Sequence, residues 1–275
     1  MSAAISYLLL NKEQGVSTGE AERRFIGHKA SFLMEGKNLF SHTYFSPQVS
    51  NATREKILRE CVANGDDTIY VYLTNQGDYR SKFINPCLLP FDSDDWGARL
   101  YEPRMARWES EIEKMISMGL YPVFWLFADD SPVISGKSPE VLGGLTDLLV
   151  KRFDQYAIGW VGALEANEHM GFEQMKAIYA ALNQNTSKPK GVHLTPMGHN
   201  ESGFWKLADY YFLQTNEPDK PEDVDTLKAR VKVSIAYTKK KVVLSEYHIN
   251  SYSKEAKSLG RAGMDAGADA TGNGR

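Results

Sequence analysis

From residue 38 onward, short runs rich in β-branched and aromatic residues alternate with longer stretches at helical spacing, seven times clearly and once more as a stub. Nothing else in the chain restricts its fold as strongly. Parallel strands need a crossover, usually a helix, so strict alternation implies a parallel sheet with helices packed against it. The strand-like runs are residues 38–45, 68–73, 121–127, 158–164, 191–194, 210–213 and 242–245, with 269–272 as the stub. The helical stretches carry apolar faces such as Trp108, Ile112, Met115 and Ile116, or Leu142, Leu145, Leu148 and Leu149. Ser50 or Asn51, and Ser138 with Pro139, are placed to start helices, and Gly65 and Gly119 to stop them.

Two architectures fit such an alternation. A doubly wound sheet announces itself by a glycine-rich first turn that receives phosphate. Here the turn after the first run reads Ser46-Pro47-Gln48-Val49-Ser50, and no GxGxxG or Walker A string occurs. The expectation is therefore an α/β protein, a (β/α)8 TIM barrel over residues 38–275 with a short eighth unit. Residues 1–37 read as an extension packing on the barrel. About 235 residues are few for eight units, so the barrel is expected to be trimmed at its end or completed from outside the chain.

Composition narrows the function classes. Lys and Arg number 32 against 35 Asp and Glu, so no basic excess is available to neutralise phosphates, and nucleic acid is not an expected partner. The apolar run at residues 3–10 is too short to cross a bilayer and lacks the flanks of a signal peptide. The expectation is no membrane insertion, with a cytoplasmic location or one on a larger particle. Two cysteines, Cys61 and Cys87, are too few for a disulfide scaffold and read as unpaired thiols.

A barrel carries its chemistry at the carboxyl ends of its strands. The residues standing there are His42, Asn75, Asn167, Glu168, His193, Gln214, Glu246, Tyr247 and His248, with Trp125 inside the third strand. Two carboxylates stand out. Glu168 follows the fourth strand and Glu246 the seventh, which lie on opposite sides of an eight-stranded barrel. Facing carboxylates suit glycoside hydrolysis: a gap of about 5–5.5 Å gives retention, and one of roughly 6.5–9.5 Å gives inversion. Tyr247, His248 and His193 are placed to donate hydrogen bonds that keep Glu246 ionised, and Trp125, Trp96 and Trp205 offer flat faces for sugar rings. Glu165, three residues before Glu168, is an alternative acid.

The Asn167-Glu168 pair at the fourth strand end and Glu246 at the seventh resemble the clan of retaining (β/α)8 glycoside hydrolases, which includes cellulases, mannanases, β-galactosidases and β-glucosidases. The resemblance covers roughly residues 38–272. It implies Glu168 as acid/base, Asn167 as the partner of the sugar 2-hydroxyl, and Glu246 as nucleophile. It implies no cofactor and a carbohydrate substrate. The chain also departs from the clan. No Arg ends the second strand, where Tyr72-Leu73-Thr74-Asn75-Gln76 stands. Leu213-Gln214-Thr215 occupies the place of a sixth-strand Tyr, and the tail lacks an eighth-strand Trp.

Those departures motivate a rival, a barrel that binds glycans without cleaving them, as part of a larger assembly or a homo-oligomer. A third reading is a metal-dependent barrel hydrolase, suggested by His42, His169, His193, His199 and His248 near strand ends. No HExxH or His-x-His spacing occurs, so no metal ligand is assigned. The acidic run Asp92-Ser93-Asp94-Asp95-Trp96-Gly97 has Pro103 where a calcium loop needs its bidentate Glu, and reads as a solvated loop.

Overall fold

A computed structural model describes residues 30–32, 45, 49–74, 89–91, 96, 99–127, 132–195, 203–215, 222–248 and 253–272. Eight strands form one sheet in the order β1 to β8, with every pairing parallel. They are β1 (Ala30–Phe32), β2 (Thr68–Tyr72), β3 (Tyr121–Phe127), β4 (Gly159–Ala163), β5 (Lys190–Leu194), β6 (Tyr210–Gln214), β7 (Lys241–Glu246) and β8 (Ala270–Thr271). The helices are α1 (Asn51–Ala63), α2 (Glu102–Ser117), the short α3 (Pro132–Ser135), α4 (Pro139–Phe153), the single turn α5 (Ala166–His169), α6 (Phe172–Asn185), α7 (Val224–Thr238) and α8 (Lys254–Asp265).

Local chemistry explains the helix boundaries. Ser50, Ser138 and Ser253 each turn a side-chain oxygen onto a backbone N–H three residues on, and Asp223 does so for two. Gly65 and Gly119 lie just past helix ends with φ of 80° and 83°, a conformation that a Cβ would strain.

The sheet is curled. Tyr70 on β2 and Phe212 on β6 bring their ring centroids within 5.7 Å. Four strand spacings in a flat sheet would hold them about 19 Å apart. The concave face is filled by Tyr70, Tyr72, Val123, Trp125, Val161, Phe212 and Val243. The convex face, with Ile69, Val71, Phe124, Leu213 and Leu244, packs on the helices. Gly191 of β5 marks the tightest place inside. A Cβ there would lie 2.3 Å from the Phe212 ring, so only glycine admits that ring at the centre.

The first strand corrects the sequence reading. The segment that pairs with β2 is Ala30–Phe32, inside the stretch set aside as an extension. Residues 38–44 lie outside the described ones. Phe45 is a buried turn residue whose ring stacks on Trp108 of α2 at 4.8 Å. An aromatic residue such as Phe45 suits a helix contact as well as a strand, so its type alone does not place it in a sheet. Cys61 is a buried thiol on α1, and Cys87 lies outside the described residues. Among the described residues no helix is long and apolar enough to cross a membrane.

Candidate active site

The site is assembled where β4, β5, β6 and β7 end. At β7 the chain breaks its own alternation. Val243 belongs to the concave face and Leu244 to the convex one. Strict alternation would then put Ser245 and Tyr247 inside and Glu246 outside. Instead Leu213 pairs with Leu244, and Gln214 pairs with Glu246. Ser245 is the extra residue of a bulge, its hydroxyl bonded to the Leu213 carbonyl at 3.2 Å. Glu246 is thereby turned inward, with a side chain only 6% exposed and an Oε2 3.8 Å from His193 Nε2. Tyr247 is turned outward under α8, where a Cβ on Gly260 would meet its hydroxyl at 2.8 Å. Burial pushes its phenol up, against a hydrogen bond with Thr271 that pulls it down.

His193 sits inside β5 with no exposed surface, its ring 5.2 Å from that of Trp125. Its Nδ1 accepts the backbone N–H of Glu165 at 2.9 Å, which ties the end of β4 to the imidazole beside Glu246. Burial pushes the His193 imidazole down to about 3, so the ring is neutral at ordinary pH. Its effect on folding has a definite sign. Between about pH 6.5 and pH 3 the unfolded chain binds a proton that the folded chain refuses, so stability falls as pH drops through that window. The expected slope from this group is up to about 1.4 kcal/mol per pH unit. Urea unfolding of the wild type and of His193→Gln across that range checks it: the variant should lack the difference.

β4 ends in a strained turn. Glu165 takes φ 42° and ψ 40°, the left-handed region, and α5 follows at once. Asn167 on α5 clamps the end of β5: its Oδ1 accepts the Thr195 N–H and its Nδ2 donates to the Thr195 hydroxyl, both at 2.8 Å. Thr195 was not singled out in the sequence. Its only signal there is its place directly after the fifth strand. Glu168 stands on the rim with a side chain 42% exposed, its Oε2 3.7 Å from His169 Nε2.

The remaining sequence candidates fall into three groups. Gln214 joins the site: it lies opposite Glu246 in register, is buried, and its Oε1 has no hydrogen-bond partner among the described residues. Trp125, Tyr247 and His248 are placed otherwise than the sequence suggested. Trp125 offers no exposed face, being enclosed by Tyr70, Tyr72, Phe212 and His193. His248 Nε2 lies 3.3 Å from Glu255 at the start of α8. Trp96 is buried under Lys137, and Trp205 packs on Tyr237 of α7. His42, Asn75 and His199 lie outside the described residues. Among the described residues no group of three His, Cys, Asp or Glu is disposed to hold a metal ion.

No protein-family model matches the sequence, and no curated protein matches it. Solved structures do match. The fold resembles that of glycoside hydrolases. A β-glucosidase of Thermotoga maritima, solved with galacto-hydroximolactam, aligns over 90% of this chain and 87% of its own, at 10% identity and a TM-score of 0.57. A putative glycoside hydrolase of Bacteroides vulgatus aligns over 90% of this chain at 14% identity and a TM-score of 0.65. An exo-β-1,4-mannosidase of Opitutaceae bacterium strain TAV5 gives 90%, 12% and 0.62. This chain spans about half the length of the last two, 50% and 51%. Identities this low speak for the fold alone.

Proposed function

We propose that this chain is a glycoside hydrolase that cleaves a β-linked glycan by a two-carboxylate retaining mechanism. Glu246 is the nucleophile and Glu168 the acid/base. The observation that carries the reading is the inward-turned Glu246 at the end of β7, buried beside His193, whose Nδ1 accepts the Glu165 N–H at the end of β4. The β4 end carries Glu168 on the solvent side, where a leaving group departs. Glu168 protonates the leaving oxygen while Glu246 attacks the anomeric carbon. A water activated by Glu168 then releases the sugar with its configuration kept. In this reading β8 closes on β1 to complete an eight-stranded barrel, and the β-linked preference follows the β-glucosidase and β-mannosidase whose fold is shared.

Purified protein incubated with a panel of aryl β-glycosides, with the first-formed anomer read by proton NMR, tests the reading. Retained product is expected, and Glu168→Ala should slow substrates with poor leaving groups far more than nitrophenyl ones. No turnover of any glycoside, or an inverted product, overturns it. Glycan binding without product would instead indicate a non-cleaving glycan-binding barrel.

A further inference from the structure

His193 occupies a position from which it cannot touch a substrate. The ring has no exposed surface, so whatever it does at the site it does through a neighbour. Its protonation is decided by geometry. The Glu165 N–H donates to Nδ1 at 2.9 Å, and a ring nitrogen accepts only when it carries no proton. The ring is neutral, so its single proton resides on Nε2. That Nε2–H has no hydrogen-bond partner among the described residues, and Glu246 Oε2 lies 3.8 Å away. A buried N–H left without an acceptor is costly, whereas one given to a carboxylate makes a charge-assisted bond. The gap exceeds a formed hydrogen bond by less than about 1 Å, and contacts of this kind tighten when substrate binds.

We propose that His193 is the positioning residue of Glu246: its Nε2–H is directed onto the carboxylate, favouring the ionised form and fixing the oxygen that faces the substrate. The proposal rests on Glu246 being the nucleophile. It also gives a reason for the left-handed Glu165, a conformation that residues with a Cβ rarely adopt, because that turn aims the amide at Nδ1. Three strand ends thus share one device. The end of β4 sets the tautomer, β5 carries the ring, and β7 carries the charge. The other groups packed on the ring leave this logic intact. Trp125 from β3 and Phe212 from β6 do not titrate. Tyr70, behind Trp125, is held neutral by burial, with its phenol pushed well up. Among the described residues, the carboxylate placed against the His193 ring is that of Glu246.

The test uses the full chain and two readouts that do not need turnover. Nitrogen-15 NMR of the imidazoles should show His193 with an unprotonated Nδ1 and a protonated Nε2. Carboxyl carbon-13 titration should show the Glu246 midpoint rising by at least about one pH unit in His193→Phe, a tenfold change in its proton affinity. His193→Gln, whose amide nitrogen falls near the place of Nε2, should restore most of it. Where the wild type turns over a glycoside, the acid limb of its pH profile should move with the Glu246 midpoint. A protonated Nδ1, or an unchanged Glu246 titration in folded His193→Phe, overturns the proposal. Should His193→Phe not fold, the wild-type tautomer and the His193→Gln titration decide. Absence of turnover overturns the glycosidase reading, and the NMR results still decide the role of His193.

Discussion

Glu246→Gln is expected to reduce kcat on aryl β-glycosides by at least about a thousandfold, roughly 4 kcal/mol of transition-state stabilisation. The amide matches the carboxylate in size but cannot form the glycosyl–enzyme bond. The side chain is 6% exposed, so the substitution also removes a buried charge, and the melting temperature should hold or rise. Glycan affinity should persist, since the change alters attack more than the shape of the cleft. Steady-state kinetics and a thermal melt on the same preparation separate the two effects. A fully active variant would falsify the nucleophile assignment.

Trp125→Ala is expected to cost about 3–5 kcal/mol of folding stability. The indole is enclosed by Tyr70, Tyr72, Phe212 and His193, with ring centroids 5.2–5.6 Å apart, and its removal leaves a void in the centre of the sheet. Marginal stabilities of about 5–15 kcal/mol make that a large fraction of the whole. At about 2–4 °C per kcal/mol for a chain of this size, the melting temperature should fall by about 10 °C. Had the indole been an open sugar platform, the same change would weaken glycan binding and leave the melt almost unmoved. Urea unfolding and a binding titration, run side by side, distinguish the two roles.

Much of the fold was legible because alternation of period two and of period three to four is written locally. Trp108, Ile112 and Met115 share one face of α2 through their spacing alone, and Ser50 and Ser138 cap α1 and α4 as their hydroxyls suggest. The strand nearest the start was not legible. Ala30–Phe32 is short and poor in β-branched residues, and only its pairing with β2 makes it a strand. Trp125 was misread for a related reason. Residue type names a flat face, but which rings enclose it depends on strands far apart in sequence.

By itself the sequence determined the parallel α/β arrangement, the order of its strands from the second onward, and the presence of Glu at the ends of the fourth and seventh. Only the tertiary structure decided which side chain at the end of β7 faces inward. Side-chain direction along a strand has a period of two, so one unpaired residue reverses everything after it. Ser245 is that residue, and whether it bulges depends on its pairing with β6, a strand about thirty residues earlier. The bulge puts the carboxylate of Glu246 in the site and the ring of Tyr247 against α8.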